Sequence, residues 1–229
     1  MSTADTAFEA PWRAGLRSAR ANLAPGFALQ VVALTLVLAF YWHEPTRAAL
    51  SRLAAWRTQF GLLFPILSTG LFGGLLPVLF LRARPSTRDH YTAAQGLALV
   101  LFWSYKGFEV DLFYRSLAYF VGEGHDVATI ATKTVIDQFA YSPIWAVPTT
   151  ALFFEWVGFH FSFRAMWDDV RTAGWYRRKI LPVLLSNLGV WLPAVCIIYA
   201  LPTPLQLPLQ NLVLCFFTLL IAVQIKRPH

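Results

Sequence analysis

Apolar and polar positions along this chain separate into long apolar runs divided by short basic stretches, and the runs have the length that crosses a bilayer. About 20 helical residues span a hydrocarbon core of about 30 Å. Six segments meet or approach that length: residues 25–42, 60–81, 94–120, 136–159, 181–201 and 207–225. The second contains Pro65 and Pro77, which a membrane helix tolerates when neighbours satisfy the freed carbonyls. The third is interrupted by Lys106, Glu109, Asp111 and Arg115, and the fourth opens with Asp137 and Gln138. Only PTPLQ separates the last two, which read as two spans rather than one broken hairpin. The pattern predicts an all-α fold, a polytopic transmembrane helix bundle of about six apolar helical segments forming four to six spans. Residues 25–229 form a single domain in this reading. Ahead of it, residues 1–24 form a basic segment in which Trp12, Leu16 and Leu23 predict an amphipathic helix on the membrane surface. Asp5 and Glu9 weigh against a transit peptide there, and no small-residue cleavage site follows a short apolar core.

Composition agrees with the pattern. Apolar residues make up 57% of the 229 and charged residues 14%, with a mean hydropathy of +0.51. A soluble domain carries roughly a quarter charged residues. With six spans, the side holding both termini carries 13 Lys and Arg against five on the other, leaving Lys106 unassigned. The positive-inside rule then puts both termini in the cytoplasm, or in the matrix of a mitochondrion. Bacterial inner membrane and an organelle membrane, mitochondrial inner or peroxisomal, are both consistent with this. The net charge of +7 reads as loop anchors against anionic headgroups, not as a nucleic-acid surface. The lipid bilayer is the expected partner; small solutes and a homo-oligomer remain open.

Several chemistries find no support. Cys196 and Cys215 both lie in apolar segments and read as small core residues. The five histidines show no helical pairing, so no metal site and no cofactor is expected. Neither a phosphate-cradling glycine loop nor a Gly-x-Ser-x-Gly elbow occurs, and no catalytic residue is assigned: the chain is not expected to be an enzyme. Gly70 and Gly74 instead have the spacing of a close helix contact.

The polar content of the spans is what remains. Projected on a helix, Ser104, Asp111 and Arg115 share one stripe of the third span, and Lys106 and Glu109 share another. Each set holds both signs at i, i+3 or i+4, so internal pairing is available. A lone charge at a helix centre costs about 2.5–3.5 kcal/mol on the insertion scale. These four residues therefore either lock helix packing or line an aqueous path. Asp137 and Glu155 fall on one side of the fourth span, about 27 Å apart along the axis. They read as interfacial groups near the two faces, or as two mouths of a pathway. Gln206 and Gln210 share a face of the sixth span, and Asn187 lies near Trp191 on the fifth; such amides most often bond across helices.

One stretch is more specific. Residues 133–143, KTVIDQFAYSP, have the pattern Lys-x-x-x-Asp-Gln-x-x-x-x-Pro, carried by Lys133, Asp137, Gln138 and Pro143. Lys133 and Asp137 are spaced to pair, and Asp137 would suit the positive amino terminus of a helix. Downstream, NLGVWLP and YALPTPLQLPLQN supply Asn187, Val190, Trp191, Pro193, Gln206 and Asn211. Together these motifs resemble the Mpv-seventeen and 22-kDa peroxisomal membrane protein family, over roughly residues 60–225 of this chain. Val195, Ile198 and Pro208 stand where that family usually has Gln, Asn and Arg. The resemblance implies a small integral protein of an organelle membrane with a pore or permeability role. The leading expectation is thus a small-solute channel or permeability-modulating protein. In it, polar faces of the third, fourth and sixth spans surround the path, with Asp137 and Gln138 at one mouth and a loop or charge pair as gate. The alternative is a non-conducting membrane scaffold, and a lipid-modifying membrane enzyme ranks third.

Overall fold

The first helix is described from Pro11 onward and runs without a break to Trp42. The structure is a computed structural model and describes residues 11–88 and 91–224. Those residues are helical nearly throughout, as expected for the all-α class. Residues 1–10 of the amino-terminal segment expected to lie on the membrane, and the side chains of Trp12 and Leu16, fall outside the described residues, while residues 11–24 are helical and run on into the first apolar segment. Among the described residues eight helices follow in order. Helix α1 is Pro11–Trp42, α2 is Glu44–Phe60 and α3 is Leu63–Ala83. Helix α4 is Ala93–Val121, and α5 covers 127–158. Helices α6, Phe163–Val170, α7, Tyr176–Tyr199, and α8, Thr203–Gln224, complete the described residues.

Local chemistry sets the boundaries. Extended backbone at His43 and Pro45 in the first turn of α2 break the chain, and the two helices meet at 101°. Helix α2 ends on Gly61, whose φ of 54° and ψ of −129° suit a residue without Cβ. Thr92 and Gln95 form a reciprocal capping box at the start of α4, each side chain bonding the other's backbone N–H. The Asp126 carboxylate accepts from the Thr129 amide at 3.0 Å and its hydroxyl at 2.6 Å, capping α5 and holding the Asp126 pKa below the usual carboxylate range. Among the described residues three helices contain π-helical turns, Gly70–Leu75 in α3, Asp137–Ala146 in α5 and Tyr176–Ile180 at the start of α7. Pro143 lies inside the turn of α5, where a wider turn relieves the clash of its ring with the preceding carbonyls.

The chain divides into two compact units, Met1–Gly26 with Ile136–Leu192, and Phe27–Val135 with Pro193–His229. In the second unit α3 and α4 pack through glycines. A Cβ at Gly74 would stand 2.7 Å from the Val100 Cα, and one at Gly70 would meet the Ser104 hydroxyl. The close contact that the Gly70 and Gly74 spacing predicts is therefore made, against α4. Around it, Leu99, Val110, Leu117, Ile198, Leu205 and Leu209 are buried, and Tyr114 meets Tyr199 edge to face at 5.4 Å. Helix α8 joins α3 through Asn211, which accepts from the Thr69 hydroxyl at 2.9 Å and donates to Ser68 Oγ at 3.0 Å. Asn211→Leu removes both bonds, and at about 0.6 kcal/mol each on average, up to about 1.7, it should lower unfolding stability by about 1–3 kcal/mol. Thermal unfolding of the detergent-solubilised variant, followed by circular dichroism, measures this.

In the first unit, the turn after α5 carries His160 and Phe161 at φ 50° and 66°, a left-handed conformation that side chains disfavour. Trp156 holds it by stacking on Phe163 and meeting Phe161 edge-on, both at 4.9 Å between ring centres.

Two helices, Leu63–Ala83 and Tyr176–Tyr199, are long and apolar enough to cross a membrane, and the bent pair Gly26–Trp42 and Glu44–Phe60 makes up to a third. Residues 94–120 form one unbroken helix, as the pattern predicts, but with four ionisable residues inside it. The fourth segment differs from expectation at its start. Its helix begins at Val127, so Asp137 lies well inside α5 and not at a positively polarised amino terminus. Residues 122–135 were too polar to be read as part of an apolar run, yet the Asp126 cap starts the helix among them.

Candidate functional site

The ionisable residues of α4 are the most costly feature of the second unit, and each is neutralised. Asp111 has no exposed surface. It accepts from the Arg57 guanidinium of α2 on one carboxylate oxygen and from Arg115 Nε, one turn along α4, at 2.7 Å on the other. Arg57, itself 3% exposed, also donates through Nη1 to the carbonyl of Thr203 at 2.6 Å, tying α2 to the first residue of α8. Arg115 is half-exposed, so this network runs from the core of the unit to its surface. One turn earlier, the buried Lys106 ammonium donates to Glu109. Both pairings that the spacing permits within α4 are made. Arg57 is the participant that sequence reasoning missed, because α2 is polar enough to read as a basic loop. The signal was there in Thr46, Leu50, Leu53 and Arg57, which recur at i, i+4, i+7 and i+11 and are the inward face of α2.

The motif residues are distributed over both units. Lys133 is 2% exposed and sits in the second unit, its ammonium 6.0 Å from the centre of the Tyr199 ring. Burial pushes its pKa below the usual lysine value, and the charge of Glu123 opposes that shift. Beside it, the Thr134 hydroxyl and the Cys196 thiol are 3.5 Å apart, and Cys196 and Cys215 are both free thiols. Asp137 and Gln138 are buried in the first unit, where Gln138 Nε2 donates to Asp137 Oδ1 at 3.0 Å. The carbonyl of Pro143 accepts from the Tyr176 hydroxyl at 2.9 Å, joining the π-helical turn of α5 to α7.

Glu155 is a joint within its unit. Its carboxylate accepts from Trp175 Nε1 at 3.1 Å and pairs with Lys179 at 3.1 Å, and Lys179 also reaches Asp169 of α6 at 3.5 Å. Neither Trp175 nor Lys179 was legible as a partner, since 20 or more residues separate them from Glu155. On α8, Gln206 is buried and donates to the carbonyl of Leu201 at 2.9 Å, closing the turn from α7. Gln210 Oε1 is buried with no hydrogen-bond partner among the described residues. Asn187, Trp191 and Pro193 are half-buried along α7. Among the described residues no three of His, Cys, Asp and Glu come together.

Among the described residues, fold and site together define an all-helical protein with two helices, or up to three with the bent pair, long and apolar enough to cross a membrane, and with paired charges in the core of its second unit. No family model, curated protein or solved structure matches it.

Proposed function

We propose that this chain is an integral membrane protein that modulates small-solute permeability, and that the Arg57, Asp111 and Arg115 network is its closed gate. The observation that supports this most is Asp111, a fully buried carboxylate shared between a buried and a half-exposed arginine. Apolar residues of similar volume usually stabilise a core as well as or better than a buried ion pair does. Ionisable groups kept inside an apolar helix therefore point to use beyond packing. The Lys106 and Glu109 pair lies on the same helix, and the unsatisfied Gln210 carbonyl of α8 is a further polar group buried in that unit. The resemblance to the Mpv-seventeen and 22-kDa peroxisomal membrane protein family gives the same reading. Large exposed apolar side chains, among them Phe27, Leu67, Leu101 and Ile144, suit a surface facing lipid.

A second reading, a non-conducting scaffold, is favoured by the completeness of the pairing in α4 and by the Asn211 bonds across to α3. Solute release from vesicles containing the purified chain separates the two. Arg115→Gln and Glu109→Gln each remove one member of a pair without stripping the buried Arg57 of its partner. Under the permeability reading, wild-type vesicles leak slowly and the variants release small neutral or anionic solutes several-fold faster. Vesicles that stay tight for all three proteins, with helical content unchanged, would establish the scaffold instead.

A further inference from the structure

Helix α2 has three faces, and each belongs to a different solvent. At about 100° per residue, Thr46, Leu50, Leu53 and Arg57 form one sector, and together with Ala54 at its edge they are the buried or half-buried residues of the helix. This sector packs on α3 and α8 and is pinned by the bonds of Arg57 to Asp111 and Thr203. Roughly 80° away, with Phe60 at its near edge, lie Pro45, Ala49, Trp56 and Phe60, an apolar and aromatic sector that touches nothing sufficient to bury it: Trp56 is 61% and Phe60 57% exposed. The remaining sector holds Glu44, Arg47, Ser51 and Thr58, with Glu44 and Arg47 paired to each other. Arg52 falls on the border between the apolar and polar sectors.

A helix between water and protein needs two faces, and so does one between lipid and protein. Three faces fit a helix that lies along the boundary of all three. The exposed apolar stripe of α1, through Phe27, Val31, Leu34 and Leu38, ends at Trp42, one residue before the 101° bend into α2. Tryptophan is enriched where hydrocarbon meets headgroups, and a turn near a right angle at that depth lays the next helix in the membrane plane.

We infer that α2 is an interfacial helix embedded in the headgroup layer of a phospholipid bilayer. Trp56 and Phe60 reach toward the acyl chains, Arg52 extends to the lipid phosphates, and the Glu44, Arg47, Ser51 and Thr58 side faces water. The bent pair is then one crossing leg followed by an in-plane helix, rather than two legs of a re-entrant hairpin. This rests on the chain being embedded in a membrane and is independent of whether it conducts.

Site-directed spin labelling of the full chain in phosphatidylglycerol-containing vesicles tests it. In a Cys196→Ala, Cys215→Ala background, single labels at Ala49→Cys and Phe60→Cys are compared with labels at Ser51→Cys and Thr58→Cys. Collision with oxygen reports lipid, and collision with a nickel chelate reports water. The expected result is an oxygen-to-nickel ratio several-fold higher at 49 and 60 than at 51 and 58. Four oxygen-favoured sites whose depth increases steadily along the helix would overturn the inference in favour of a crossing leg. Four nickel-favoured sites would make α2 an aqueous segment. A label at Leu34→Cys separates the two levels of failure: oxygen-favoured there, the chain is embedded and only the placement of α2 is wrong; nickel-favoured there, the membrane reading falls with it.

Discussion

Asp111→Ala should destabilise the protein by about 3–5 kcal/mol, the largest effect expected of any single substitution considered for this chain. The carboxylate is wholly buried and answers two arginines, but the arginines are not equivalent. Arg115 is half-exposed and turns to solvent when its partner is lost. Arg57 is buried at 3% exposure and keeps only the Thr203 carbonyl, so a guanidinium charge is left in the core. The loss comes chiefly from that stranded charge, not from the attraction itself, and this distinguishes the prediction from a simple count of contacts. The double variant Arg57→Met with Asp111→Leu should therefore recover most of the stability, since it removes the charge together with its partner. Unfolding of purified wild type, Arg57→Met, Asp111→Leu and the double variant in mild detergent forms the cycle, with Asp111→Ala measured beside it. A cost below about 1 kcal/mol for Asp111→Ala would mean that the network is hydrated and not a buried constraint.

Gly107→Ala should cost about 1–3 kcal/mol, at the upper end of that range, whereas Gly158→Ala should be neutral or slightly stabilising. Added at Gly107, a Cβ would stand 2.1 Å from the Pro65 carbonyl oxygen and 2.7 Å from Thr69. The first of these is backbone of the neighbouring helix and has no rotamer to escape into. Helices α3 and α4 would have to separate along the seam that Gly70 and Gly74 also line. At Gly158 nothing lies within 4 Å, so only the conformational benefit of alanine in a helix remains. The midpoint of thermal unfolding for the two variants reads the contrast directly. Equal shifts for both would argue that the helices do not approach each other at Gly107.

These two sites illustrate different degrees of legibility. Small-residue spacing at Gly70 and Gly74 announced a close helix contact, because such a seam needs residues at fixed helical intervals. Gly107, where that contact brings a backbone carbonyl closest, has no partner at the same spacing and is silent in the sequence. The charges of α4 were visible as an expense, and their i, i+3 and i+4 spacing showed which could pair along one helix. Arg57 was not visible, since a residue 54 positions from Asp111 is joined to it only by the way α2 folds back on the bundle. Glu155 reads as an interfacial group or a pathway mouth, and spacing does not show its partners, Trp175 and Lys179, which lie 20 or more residues away. Asp137 was placed at a helix start because the apolar run begins there, while a carboxylate cap at Asp126 starts the helix earlier.

The helical class, the apolar character and the local pairings of α4 follow from periodicity and composition, which act over a few turns of chain and need no knowledge of neighbours. The right-angle bend after Trp42, the closeness of α3 and α4 at Gly107, and the meeting of Arg57 with Asp111 depend on contacts between segments far apart in sequence. Such contacts are set by which faces exclude one another's solvent and by how closely two backbones can approach, and no window along the chain contains that information.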